Sequence, residues 1–168
     1  MADGFTTFLT ANAGHGRRFL LSSVDEKEIG RVKTKGWSNL WNQFFGWLVA
    51  VPIHDEMTVE NNTLIIESKT HLMSGKYRIE INHQPVALVM THNYQNGFTI
   101  NIKNERYLLK TGLGNASFQV LRDSDQMLMM QMRQQIDNAD KFKLEINDKL
   151  GLLTGVGLAI IIMRNNGK

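Results

Sequence analysis

One segment near the C-terminus constrains the fold more than any other: residues 150–163, LGLLTGVGLAIIIM. Apart from Thr154 and three glycines its residues are apolar, so wound as a helix it has no polar face. Such a helix has to be surrounded by protein or by lipid. At about 1.5 Å per residue it spans about 21 Å, whereas crossing a bilayer core of roughly 30 Å takes about 20 apolar residues. Burial inside the protein is therefore the expectation. Asp148, just upstream, is placed to cap the amides of the first turn. Gly151 and Gly155 stand one turn apart and let a neighbouring chain come close. The same spacing serves helix dimers in membranes, for which this segment is too short.

Almost everything upstream reads as short strands between turns. Tyr77, Ile79 and Ile81 alternate with Arg78 and Glu80, the period of a half-buried strand. Phe98, Ile100 and Ile102 alternate with Thr99, Asn101 and Lys103, and Phe142, Leu144 and Ile146 with Lys143 and Glu145. Further strands are read at 19–24, 28–33, 64–67, 86–91, 106–110, 118–121 and 127–132. Asp25-Glu26-Lys27, His83-Gln84-Pro85 and Arg122-Asp123-Ser124-Asp125 supply turns, and Asn96-Gly97 suits a two-residue type I′ turn. Strands recurring about every 8–12 residues predict a sandwich or barrel, and the short spacing predicts antiparallel pairing. A strand-rich chain that must also enclose one apolar helix is most simply a barrel wrapped around it. The helix then takes the place that side chains fill in smaller barrels. The expected fold is thus mainly β, a closed antiparallel barrel around a buried hydrophobic C-terminal helix, in one domain over residues 1–168. Residues 1–16 are expected to be flexible or loosely attached.

A second helix is expected near residues 37–51. Trp37, Leu40, Trp41, Phe44, Phe45 and Leu48 recur at helical spacing and form one apolar face. Ser38, Asn39, Asn42 and Gln43 lie mostly opposite, and Pro52 ends the segment. All three tryptophans of the chain fall within it.

Composition narrows function by exclusion. The chain has 168 residues, long enough to bury a core without disulfide or metal staples. It contains no cysteine, which removes disulfide scaffolds, thiol catalysis and cysteine-ligated zinc or iron–sulfur sites. A net charge of +3 permits anionic partners but lacks the dense cluster of a DNA-binding protein, so no nucleic acid is expected. Residues 1–19 carry no basic stretch followed by an apolar one, and a cytoplasmic location is expected, peripheral at a membrane if lipid is bound. The five histidines (His15, His54, His71, His83, His92) show no ligand spacing, and the neighbours in His54-Asp55-Glu56 diverge. Neither metal nor cofactor is expected. Gly112-Leu113-Gly114 lacks the third glycine of a dinucleotide fingerprint and reads as a turn. Ser22, Ser23 and Ser74 sit in no nucleophile elbow, and no catalytic residue is assigned. Met127, Met129, Met130 and Met132 read as strand side chains filling the barrel or its outer packing.

The chain resembles the tubby-like superfamily, in particular its branch of LURP-one-related and phospholipid scramblase proteins. The hairpin FQVLRDSDQMLMMQMR (118–133), the strand FKLEIND (142–148) and the helix LGLLTGVGLAIIIMR (150–164) carry the resemblance. The hairpin RIEINHQPVALVMTH (78–92) follows the same style. The likeness is one of pattern and order over residues 60–164. It implies a closed barrel of about twelve strands threaded by the C-terminal helix. Tubby proteins bind phosphoinositides through basic side chains, and those positions have no residue-by-residue match here. The cysteine features of the scramblases are missing.

These readings describe a non-catalytic binding or scaffold module of tubby-like fold that associates with anionic lipid or a membrane surface. The candidate surface is Arg31, Lys33 and Lys35 followed by Trp37, Trp41 and Phe45. Aromatic rings at headgroup level with cations on phosphates would suit an interface. The aromatic segment itself carries no Lys or Arg. One alternative is a protein–protein module forming a homo-oligomer through the Trp-rich helix. Another is an enzyme with an unrecognised site.

Overall fold

The computed structural model describes residues 4–12, 18–34, 53–71, 74–92, 97–112, 114 and 116–166. The strands are β1 (Gly4–Asn12), β2 (Arg18–Ser22), β3 (Glu28–Thr34), β4 (Ile53–Val59), β5 (Asn62–His71) and β6 (Ser74–Ile81). They continue as β7 (Gln84–His92), β8 (Gly97–Ile102), β9 (Glu105–Thr111), β10 (Ser117–Arg122), β11 (Leu128–Gln134) and β12 (Lys141–Asn147). Each pairs antiparallel with its neighbours in sequence, and β1 pairs with both β2 and β12, which closes the barrel. Helix α1 (Leu152–Asn166) follows β12 and runs inside, buried from Leu153 to Met163. The expected fold class is the one observed. The amphipathic helix expected near 37–51 lies outside the described residues.

Alternation builds the wall. In β12, Phe142, Leu144 and Ile146 are buried while Lys141, Lys143, Glu145 and Asn147 are half-buried. One end of the barrel is made of tight turns. Asn82 and His83 both have positive φ (52° and 63°), as do Lys103 and Asn104 (48° and 68°), the backbone a type I′ hairpin requires. The Asn82 carboxamide accepts from the Thr63 amide at 2.9 Å and donates to Asn62 Oδ1 at 2.9 Å. Two neighbouring turns are thereby tied together.

Four expectations are corrected. Residues 4–12 are not loosely attached: they form β1, paired along most of its length with β12 and at its C-terminal half with β2. The two-residue turn expected at Asn96-Gly97 is corrected at Gly97, which already pairs with His92 as the first residue of β8, while Asn96 lies outside the described residues. The turn expected at His83-Gln84-Pro85 sits one residue earlier, with Gln84 and Pro85 paired in β7 beside a register shift, a place where proline is tolerated. Asp148 does not start the helix. Asn147 Oδ1 takes the Lys149 amide at 3.0 Å, and Gly151, at φ +81°, leads into α1.

The barrel is the right size for its helix. Following the pair registers once around returns to β1 displaced by about twelve residues, a stagger that tilts the strands by roughly 35°. Twelve strands at about 4.8 Å then enclose a radius of about 11 Å. A helix with its side chains is about 10–12 Å across, which leaves depth for one layer of strand side chains. α1 lies closest to β12, β5, β6 and β1. Two glycines make those approaches possible. Gly155 faces Ile146 of β12, and Gly157 faces Ile79 of β6 and Leu64 of β5. β12 and β6 stand opposite each other in the ring. Larger residues, Phe19 on β2, Met57 on β4 and Phe118 on β10, fill the flanks. Met129, Met130 and Met132 are buried in the same core, as barrel filling requires.

Candidate functional site

The C-terminal end of α1 emerges among the strand ends opposite the tight turns, and a polar group holds it there. Asp55, on the inward side of β4 with Met57 and Val59, is 1% exposed. Its Oδ2 lies 2.5 Å from a terminal nitrogen of Arg164, in the last turn of α1. That guanidinium also stacks over the Phe19 ring, 5.5 Å from its centroid. Next to it, Asn165 Nδ2 donates to the Tyr77 hydroxyl at 3.2 Å and to the Ile161 carbonyl at 2.7 Å. Asn166 Nδ2 donates likewise to the Ile162 carbonyl at 2.8 Å. Carbonyls that a helix end leaves without partners are satisfied here by its own side chains. Sequence reading missed Asp55 and Arg164. The signal was present: an inward face carrying Met57 and Val59 places Asp55 inward as well.

Of the six expected surface residues, the structure places Arg31 and Lys33. Both point outward from β3, two residues apart. Arg31 donates to both carboxylate oxygens of Glu28, at 3.2 and 2.9 Å, and this hydrogen-bonded pairing raises its pKa. Lys33 stands in register with Glu56 of β4 and makes no ion pair among the described residues. A shallow depression of about 580 Å³ runs between these groups and is lined by Glu28, Ile29, Gly30, Glu56 and Thr58. Lys35, Trp37, Trp41 and Phe45 lie outside the described residues. Their attachment points, Thr34 and Ile53, sit at the end of the barrel where α1 emerges.

The β3–β4 pairing covers Val32 to Thr34 and stops there, while the N-terminal half of β3 pairs with β2. Beyond that point, at the tight-turn end, a second depression of about 530 Å³ opens between Phe5, Ile29, Val59, Ile81 and the start of α1. Phe5 is 42% exposed at its rim.

As expected, the neighbours of Asp55 diverge: His54 faces outward and lies 3.4 Å from Glu67, which Arg78 also engages at 2.5 Å. The Arg78 hydrogen bond is the main cause of the lowered Glu67 pKa. His83 lies in a tight turn. No cluster of three potential metal ligands exists among the described residues. No helix among them is long and apolar enough to cross a membrane. Gly112 and Gly114 belong to the β9–β10 connection, where the Gly112 amide donates to the Ser117 carbonyl at 2.8 Å.

The fold has a structural counterpart. No known protein family and no curated protein matches the chain in sequence. A solved structure of an Arabidopsis thaliana protein, AT5G01750, superposes with a TM-score of 0.60 over 98% of this chain and 93% of that one. Sequence identity between the two is 7%. The likeness is one of fold.

Proposed function

We propose that this chain is a non-catalytic binding or scaffold module of the tubby-like kind that associates with an anionic lipid surface. The observation that carries the reading is the filled interior: the place where a small barrel would hold a ligand is occupied by α1, whose residues from Val156 to Ile162 are at most 1% exposed where they are apolar. Binding is thereby left to the outside. The lipid part rests on the β3 side, where Arg31 and Lys33 precede Lys35 and the Trp-rich segment. Arg31 is already engaged by Glu28, so Lys33 and Lys35 would carry most of the attraction to phosphate. The tubby-like part rests on the twelve-strand closure around a C-terminal helix and on the sequence resemblance.

Co-sedimentation with vesicles tests the lipid reading. The protein should pellet with phosphatidylserine-containing vesicles at low salt, and not with phosphatidylcholine alone. Lys33→Glu with Lys35→Glu should abolish pelleting, and moderate salt should weaken it. Absence of binding to anionic vesicles at low salt would refute it.

A further inference from the structure

The outside of the barrel is polar on most strands. β12 presents Lys141, Lys143 and Glu145, and β4 to β6 present groups such as His54, Glu67 and Arg78. Apolar residues there stand singly, as Phe8 does beneath the Lys141 ammonium, 4.7 Å from its centroid. On β7 to β11 the outer face changes character. Leu88 and Met90 flank the core residue Val89, and Leu108 lies between the inward Tyr107 and Leu109, so these three face outward. The registers join them into a row. Met90 stands beside Thr99, Thr99 beside Leu108, Leu108 beside Leu121, and Leu121 beside Leu128. Met90, Leu108 and Leu128 remain partly exposed. Four inter-strand steps make the row about 19 Å long.

The row is narrow, and cations border it. Arg106 and Lys110 stand on either side of Leu108 along β9, and Lys76 of β6 is the cross-strand neighbour of Met90. Lys76 and Lys110 make no ion pair among the described residues, and Arg106 stands 3.9 Å from Asp123. A second copy of this chain would set those cations against each other. An acidic partner with a single apolar ridge avoids that clash and sets carboxylates against the cations.

We propose that this face docks an acidic amphipathic helix of a partner protein, laid along the row from Met90 to Leu128. About 19 Å corresponds to about 13 helical residues, enough for apolar anchors at i, i+4, i+7 and i+11. Carboxylates flanking that ridge would meet Lys76, Arg106 and Lys110. β9, at the centre of the row, stands opposite β3 in the ring of twelve. The two faces can therefore be occupied together, as a scaffold requires. The proposal stands independently of lipid binding on the β3 side.

Fluorescence anisotropy with a labelled synthetic peptide tests it. The probe is a helix with leucine at i, i+4, i+7 and i+11 and glutamate on both flanks. Controls are the same peptide with lysine for glutamate, and a scrambled one. The acidic helix should bind, and both controls should bind at least tenfold more weakly. Leu108→Glu and Lys110→Glu should each weaken binding at least tenfold, and Lys33→Glu on the opposite face should leave it unchanged. Lys110 is exposed, so its variant serves even if Leu108→Glu fails to fold. No binding of the acidic helix, equal binding of a control, or insensitivity to Lys110→Glu would overturn the proposal. So would a concentration-dependent dimer or vesicle binding that Leu108→Glu abolishes, since the face would then belong to a second copy or to lipid.

Discussion

Replacing Gly155 by alanine probes the passage of α1 through the barrel at its tightest point. A Cβ there would lie 2.7 Å from Cγ2, 2.8 Å from Cδ1 and 2.9 Å from Cγ1 of Ile146. Non-bonded carbons rest at about 3.5–4.0 Å. All three atoms belong to one side chain, 1% exposed on β12, so no single rotation clears them and strand or helix has to move. Overpacking of this kind costs about 1–3 kcal/mol. Against it, alanine favours the helix by about 0.8–1.0 kcal/mol over glycine. The expected net loss is about 1 kcal/mol. Gly157 is the control. A Cβ there meets Ile79 Cδ1 at 3.0 Å, Ile79 Cγ2 at 3.2 Å and Leu64 Cδ1 at 3.3 Å, all looser than the contacts at Gly155. A shift of a few tenths of an ångström relieves those contacts, so Gly157→Ala should match the parent protein or exceed it by up to about 1 kcal/mol. Both sites are interior to α1, so the propensity gain cancels and the difference between the variants reports packing. Urea unfolding at unchanged m measures it. Ile146→Val removes Cδ1 and should couple favourably to Gly155→Ala, by about 0.5 kcal/mol or more in a double-mutant cycle. Equal stability of the two alanine variants would refute the close passage of β12 over α1.

Two further outcomes follow from the polar groups. Arg164→Met withdraws the cation beside the buried Asp55, which is expected to cost about 3–5 kcal/mol, or roughly 6–20 °C in Tm for a chain of this size. Adding Asp55→Leu should recover most of that loss in a thermal melt, and a double variant no better than Arg164→Met would contradict the ion pair as the main interaction. Asp125, in the β10–β11 turn, accepts from Arg122 at 2.5 Å and from the Met127 amide at 3.1 Å, and these bonds hold its carboxyl down at about 2. The unfolded chain takes up that proton first as pH falls, so the turn's contribution is intact above about pH 4 and lost between about pH 4 and pH 2. NMR titration should find the midpoint near pH 2, and Arg122→Gln should move it up towards the ordinary carboxylate value. An unmoved midpoint would mean that the guanidinium is not the cause.

What could be read from the sequence tracks how well each strand keeps polar and apolar residues apart. α1 and β12 were legible because nothing in them competes with the pattern. β1 was not, because Thr7 points inward while Phe8 lies outside under Lys141. Asp55 broke the pattern in the same way, and the Arg164 that answers it lies at the far end of the chain. Turn chemistry misled where residue types were permissive. Asn96-Gly97 has the residues of a type I′ turn, but the register puts Gly97 in β8, and Lys103-Asn104 adopts the conformation instead. The candidate surface was legible only as residue types, since nothing in Arg31 announces that Glu28 already holds it.

The departures from alternation sort by direction. Inward polar residues are answered from within. The Thr7 hydroxyl donates to the Ser22 carbonyl at 2.5 Å, Thr91 Oγ1 accepts from the Gly75 amide at 3.0 Å, and Asp55 meets Arg164. A buried polar group without such an answer would cost the fold about 1–3 kcal/mol, so an inward exception implies a partner, and Thr7, Thr91 and Asp55 each have one. Outward apolar residues impose no comparable demand on the fold. Alternation assigns the side of Leu88, Met90, Leu108 and Leu128 to solvent, where a polar residue is the ordinary choice. Scattered singly, such residues would need no explanation. Ranged in register across β7 to β11 beside Lys76, Arg106 and Lys110, Met90, Leu108 and Leu128 form one surface, and the row makes the outer face of β9, opposite β3, the place where an answer from outside is to be sought.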